Sequence, residues 1–172
     1  MAVLNIHERL LRAEPSDLAP ILDSLAGPDD RLWPAERGQW PSMRFDRPLG
    51  VGARGGHGPV RYTVEGYAPG QWVRFSFCGP AGVHGFHEFT VHPAPDSGSL
   101  LRHTMAVRLR GRARLTWPLF FRRMHDALLE DCLDRAELAV HGSVEHPNQW
   151  SGYVRTLRRL ARLAARLVSR PT

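Results

Sequence analysis

Apolar and polar residues alternate along much of the first 110 positions, and then the period changes. Residues 2–12 set Val3, Asn5, His7 and Arg9 on one side and Leu4, Ile6, Glu8 and Leu10 on the other, which predicts a first strand. Pro15-Ser16-Asp17 opens a short helix through Leu25, with Ser16 as its cap, Gly27 as its stop and Pro20 limiting its regularity. Residues 27–58 read mostly as loop, with one short edge strand within residues 43–49. Four strand-like runs follow, over residues 60–67, 71–78, 83–92 and 100–110. Ala68-Pro69-Gly70 makes a tight turn with Pro69 and Gly70 at its centre, and residues 93–98 make another. Strands joined by such short turns pair antiparallel.

From Leu115 to Val140 the apolar residues instead recur at helical spacing. Trp117, Phe121, Met124, Leu128, Cys132 and Ala139 share one face, and Arg122, Arg123, Asp126, Glu130, Asp134 and Glu137 take the other. Thr116 can cap this helix, Pro118 sits in its first turn and Gly142 offers a left-handed stop. Its length of about 36 Å crosses the whole domain, so its apolar face needs a cover, and the strand-rich middle supplies one. Residues 142–152 form a polar linker. A second amphipathic helix over residues 153–169 sets Tyr153, Leu157, Leu160, Ala161, Ala164, Leu167 and Val168 against arginines, with no acid.

Composition changes this picture little. The 172 residues are 42% hydrophobic, enough for one domain with a real core plus an appendage. The 16 glycines and 14 prolines cluster between residues 27 and 98, which suits strands joined by turns. All 23 basic residues are arginine, as a genomic base composition would produce. The net charge of +6 invites a nucleic-acid reading, but seven arginines lie after residue 134 and no nucleic-acid motif appears. The glycine-rich run at 50–59 has neither a GxGxxG opening a helix nor a GxxxxGK[ST], so no phosphate cradle is expected. Cys78 and Cys132 lie far apart without metal spacing, which predicts buried, reduced thiols. With no leader-like N-terminus and no long apolar run, the expected location is the cytoplasm.

The order strand, helix, loop, antiparallel strands and long helix is that of a helix-grip protein. The chain resembles the SRPBCC superfamily, which includes START-like, Bet v 1-like and polyketide cyclase-like proteins. The likeness rests on RLWP at 31–34, WPSMRFDRPLGVGARGGHGPVRY at 40–62, PGQWVRF at 69–75, LRHTM at 101–105 and WPLFFRRMHDALLEDCLDRAE in the helix. It covers residues 1–141; the arginine-rich segment 142–172 departs from it. The resemblance implies an α+β fold in which a curved antiparallel sheet grips the long helix around an internal cavity. It is specific for fold and unspecific for activity.

Inward strand positions should be apolar, and His87 and His103 break that rule. With residues 93–98 as a hairpin loop, Phe89 opposes His103 and His87 is its diagonal neighbour. His125 flanks the helix's apolar stripe, and His57 can reach the cavity mouth. Trp33 and Trp40 are loop anchors or mouth walls. The expected ligand-binding set is Val64, Phe75, Phe77, His87, Phe89, His103, Met105, Val107, Phe121, Met124, His125 and Leu128. Three readings of the histidines stay open: satisfied core residues, groups that orient a ligand, or general acid–base catalysts, with His87 and His103 in that role. No HxH or HExxH spacing is present, so neither metal nor cofactor is expected. Asp131 and Arg135, four residues apart, are expected to pair as a partly exposed pair, a polar floor or an orienter of His125.

The favoured function is binding of a small hydrophobic ligand such as a lipid or polyketide. The first alternative is a cyclase/aromatase- or dehydratase-like enzyme. The second is an interaction protein acting through residues 153–169. Those residues could dock in cis against Asp126, Glu130, Asp134 and Glu137, meet a partner or second copy, or lie on an anionic membrane.

Overall fold

A computed structural model describes residues 1–168, with side chains for residues 1–36 and 38–163. The expected helix end at Ser169 and the stripe positions Ala164, Leu167 and Val168 fall outside that description.

Seven strands form one antiparallel sheet: β1 (Ala2–Leu11), β2 (Arg44–Phe45), β3 (Arg54–His57), β4 (Val60–Ala68), β5 (Trp72–Gly79), β6 (Val83–Ala94) and β7 (Gly98–Leu109). Their order across the sheet is β1-β7-β6-β5-β4-β3-β2. Consecutive strands are neighbours from β2 to β7, as short turns require, and β1 closes onto β7. A helix α1 (Pro15–Asp23) follows β1, and a further short helix, α2 (Ala113–Thr116), follows β7. A π-helical segment (Trp117–Phe121) then leads into α3 (Arg122–His141), and α4 (Gly152–Val168) comes last. Among the described residues, no helix is long and apolar enough to cross a membrane.

Several local expectations change. The α1 cap is Glu14, not Ser16: its backbone N–H donates to the Asp17 carboxylate at 3.1 Å, and the helix ends at Asp23, before Gly27. The turn at Pro69-Gly70 forms as expected, with Gly70 at φ 69° and Gln71 N–H donating to Ala68 at 3.0 Å. Part of the glycine-rich run is strand and not loop. Gly55 and Gly56 as β3 pass so close to the Arg44 and Val60 carbonyls that a Cβ would lie 1.9 Å from each, so only glycine builds this edge. Cys132 is buried, but Cys78 is exposed, because Val73 and Phe75 claim the inner face of β5 and the alternation turns Cys78 out.

The long helix is not one regular rod. Thr116 lies inside α2 and does not cap it; the five-residue π turn then resets the phase before α3 begins. Gly142, at φ 73°, stops α3 as expected. The buried stripe of α3 is Ala127, Leu128, Leu129, Cys132, Leu133 and Ala136. Phe121 and Ala139, expected inside, face out, while Leu129 and Leu133, expected outside, are fully buried.

The phase of α3 is set on one flank by β1. Here the inward set is Val3, Asn5, His7, Arg9 and Leu11, while Leu4 and Leu10 stay 68% and 64% exposed. Asn5 Nδ2 donates to Asp126 at 3.0 Å, and His7 meets Asp126 at 3.2 Å and Glu130 at 2.8 Å. Arg9 reaches Asp134 at 2.6 Å, Glu137 at 2.7 Å and Glu130 at 3.3 Å. All four acids thus bond to β1, Asp134 and Glu137 also accept from the linker backbone at Asn148 and Glu145, and among the described residues no α4 side chain is bonded to them. Instead α4 packs Arg158 over the Trp40 ring at 4.5 Å and bonds it to the Gln39 carbonyl, while Arg162 reaches the Gly38 carbonyl at 2.8 Å.

Asp131 and Arg135 do not pair either. Asp131 accepts from Trp40 Nε1 at 2.6 Å, Trp150 Nε1 at 2.9 Å and Asn148 Nδ2 at 2.6 Å, so it ties loop, helix and linker together. Arg135 turns the other way, to the Asp30 carbonyl at 2.7 Å and to Glu36 at 2.5 Å.

Two outcomes test the β1–α3 seam. Arg9→Met leaves three carboxylates facing one another and should cost about 2–3 kcal/mol in urea unfolding. Burial works against protonation of His7, but the bonds to Asp126 and Glu130 outweigh it and hold the imidazole up at about 9. A raised folded pKa stabilises below the unfolded value. The His7 contribution is thus full below about pH 6.5 and disappears as pH climbs through about 9. A His7→Gln variant should lose its stability deficit over that interval, and the ring NMR titration should report the same midpoint.

Candidate functional site

The inner face of the sheet is built by period-2 alternation. Tyr62 and Val64 on β4, Val73 and Phe75 on β5, Phe89 on β6, and Leu101, Met105 and Val107 on β7 are all buried. Among them sit His87 and His103, only 5% and 1% exposed. Register places Phe89 opposite His103 and Met105 opposite His87, the pairing the hairpin reading requires. The diagonal pair touches: His87 Nδ1 lies 3.2 Å from His103 Nε2.

Aromatic rings enclose His87, with Tyr62 at 4.8 Å, Phe75 at 4.8 Å and Phe77 at 4.9 Å between centroids. Phe89 lies 4.8 Å from His103. The line continues from His103 to His125 at 5.3 Å, and from His125 to His7 at 6.0 Å and Trp117 at 5.7 Å. Four imidazoles thus run from the aromatic interior to the acidic seam. His7 joins them because the β1–β7 register sets it directly opposite His103.

Chemistry changes along the row. Burial drives His87 and His103 far below the ordinary imidazole value, and burial also lowers His125, so these rings are neutral at neutral pH. A neutral imidazole has one donor and one acceptor nitrogen. One of the two facing nitrogens therefore carries the proton. The outer pair, His87 Nε2 and His103 Nδ1, must then present one N–H and one lone pair, and neither has a hydrogen-bond partner. A concerted tautomer swap moves the N–H from one end of the dyad to the other. His125 Nδ1, Asn5 Oδ1 and the Tyr62 hydroxyl are likewise buried and unpartnered. Each such group costs about 1–3 kcal/mol.

The other expected residues divide. Val64, Phe75, Phe89, Met105, Val107 and Leu128 are in the core with the dyad, Phe77 and Met124 pack against its margin, and Phe121 turns out to solvent at 38% exposure. His57 packs at a tilt against Trp33, 4.6 Å between centroids, and is held down to about 3 by burial, with His125 and Arg61 adding to the effect. Trp33 and Trp40 are both buried; Trp33 donates to the Pro41 carbonyl at 2.9 Å. Two surface clefts lie elsewhere. One, of about 500 Å³, is bounded by Asp30, Trp33, Met43 and Arg135; the other, of about 440 Å³, lies between α1 and the end of α3. Neither cleft reaches His87, whose immediate neighbours are the rings of Tyr62, Phe75 and Phe77, and the partly exposed rim of the row is at Trp117, Met124 and His125.

Sequence spacing did not single out His7 and Asp126. His7, His125 and Asp126 each bring one ligand-type atom within 4.8 Å of the others. His7 and Asp126 come from elements 119 residues apart, so no short motif marks them. The available signal was the strand alternation that put His7 and Arg9 on the same side as Val3.

No family model matches the sequence, and no curated protein matches it. Solved structures do. CalU16 from Micromonospora echinospora aligns over 98% of this chain and 90% of its own, with 14% identity and a TM-score of 0.56. Truncated norcoclaurine synthase from Thalictrum flavum aligns over 85% of this chain and 96% of its own, with 14% identity and a TM-score of 0.61. A conserved protein of unknown function from Enterococcus faecalis gives 15% identity and a TM-score of 0.58 over 98% and 88%. At this identity the likeness speaks for architecture. The chain therefore has the helix-grip fold, a seven-stranded antiparallel sheet curved about a long helix, as its resemblance to SRPBCC proteins implies.

Proposed function

We propose that the chain binds a small, mainly apolar molecule beneath the sheet and holds that molecule's polar group on the buried imidazoles. A lipid or polyketide has the required character. One observation carries the reading: the outer nitrogens of the dyad, His87 Nε2 and His103 Nδ1, are buried without partners. Groups left unpaired at such cost are recovered when a ligand carbonyl or hydroxyl bonds to them. Entry is at the partly exposed Trp117, Met124 and His125. A further norcoclaurine synthase structure of this fold holds a transition-state analogue, which supports a small-molecule role for the architecture.

The coupled tautomers favour a second reading, a cyclase- or dehydratase-like enzyme. A neutral dyad that gives a proton at one end and takes one at the other serves as general acid and base for chemistry beside a carbonyl.

Native mass spectrometry of the purified chain should find a co-purified small molecule. His103→Phe should abolish that adduct and destabilise the ligand-free chain by about 1–3 kcal/mol, because His87 Nδ1 loses its partner. His87→Phe/His103→Phe together should recover most of that stability without recovering the adduct. Retained affinity with lost turnover in the single variants would favour the enzyme.

Exposed residues favour an anionic membrane surface as the source or destination of the ligand. Leu115, Leu119, Phe120, Tyr153, Leu160 and Leu163 are all more than 40% exposed. The Tyr153 hydroxyl bonds to the Leu119 carbonyl, so the π turn and α4 adjoin. Arg114, Arg122, Arg123, Arg155 and Arg159 are exposed on the helical segments that carry or adjoin these residues, and residues 152–168 contain no acid. Vesicles containing phosphatidylserine should sediment the chain and phosphatidylcholine vesicles should not. Binding should weaken with salt and fall at least tenfold in Leu160→Glu/Leu163→Glu.

A further inference from the structure

We infer that His7, His125 and Asp126 form a binding site for a divalent transition-metal ion, zinc above all. The three come from two elements that the seam locks together: His7 from β1, and His125 and Asp126 from the start of α3. Asp126 Oδ1 lies 3.2 Å from His7 Nε2 and 4.0 Å from His125 Nδ1, and one ligand-type atom from each residue falls within 4.8 Å of the other two. A tetrahedral zinc ion with bonds of about 2.0–2.1 Å needs its ligand atoms about 3.4 Å apart. Closing the triad onto an ion therefore asks for shifts of about 1.4 Å or less, mostly by His125.

Three features make this more than proximity. The ring of His7 is already aimed: Glu130 Oε1 holds Nδ1 at 2.8 Å, which turns Nε2 towards Asp126. A carboxylate bonded to the far nitrogen of a ligating histidine is the usual outer partner in zinc sites. Glu130 is itself fixed by Arg9 at 3.3 Å. His125 Nδ1 is buried without a hydrogen bond of ordinary length and faces Asp126 Oδ1 at 4.0 Å, so a ligating nitrogen is turned to the triad. Asn5 donates from Nδ2 to Asp126 at 3.0 Å, while its Oδ1 is buried and unpartnered beside the site, where it can accept from a water on the ion. Access is not closed, because the side chains of His7, His125 and Asp126 are 12%, 18% and 29% exposed. Two imidazoles and one carboxylate leave a coordination position open, as in sites that bind a further ligand. The ion replaces the Nε2 proton of His7, and the Nδ1–H donated to Glu130 is kept.

The test uses the full chain, stripped with chelator and titrated with zinc by calorimetry and with cobalt in the visible. One equivalent should bind. His7→Gln and Asp126→Asn should each weaken zinc at least tenfold, and Glu130→Gln by about tenfold to a hundredfold with stoichiometry kept. Thermal melts establish that each variant is folded. On the wild-type chain, zinc should move the ring NMR signals of His7 and His125 and leave those of His84 and His92, on the opposite sheet face, in place. Absence of stoichiometric binding, unchanged affinity in folded His7→Gln, or shifts confined to other histidines would each overturn the site.

Discussion

The contact between Arg9 and the acids of α3 is the constraint on which the arrangement depends. Four carboxylates spaced along one flank of a helix repel one another and lose hydration as the helix settles on a sheet. They are tolerated because β1 brings Asn5, His7 and Arg9 beneath them at matching intervals. A strand advances about 6.8 Å per two residues and a helix about 6 Å per four, so successive inward residues keep step with successive turns. That match fixes how α3 is rotated. With Asp126, Glu130, Asp134 and Glu137 drawn to β1, Leu129 and Leu133 must go into the core. His125 is carried at the same time to the end of the imidazole row.

The cost of this choice appears on the far side of β1. Leu4, Ile6 and Leu10 are left in water so that a histidine and an arginine can go inside. Hydrophobic alternation alone would turn the strand over. The inverted strand shows that pairing with α3, and not apolar burial, decides which side faces in. A one-residue slip of β1 against β7 would bury the leucines and strand the acids, so register here is held by charge.

Much of the interior was legible from residues alone. His87 and His103 could be placed as diagonal neighbours because strand periodicity and a short hairpin turn fix cross-strand geometry without knowledge of the rest of the fold. Gly142 and the Pro69-Gly70 turn were readable because their backbone needs are local. What escaped was whatever depended on remote partners. Asp131 looked like a mate for Arg135 four residues on, but Trp40 and Trp150 claim it, and neither is near it in sequence. The acids looked like a mate for α4 because nothing local says that β1 presents its polar side. Phe121 looked buried because a regular helix was assumed through a stretch that turns more widely.

That wide turn has a further consequence. A π segment arises when one residue is added to a regular helix, and each residue of an α-helix advances by about 100°. The path between β7 and α3 is thus a setting of angle as well as of length. Were Trp117–Phe121 one residue shorter, everything before it would swing by about a quarter-turn relative to α3. Leu115, ahead of the segment in α2, would turn to another side of the molecule, and the carbonyl that receives Tyr153 would point elsewhere. The bearing of α2 on α3 is accordingly a property of residue count, adjustable without altering any side chain in the aromatic interior.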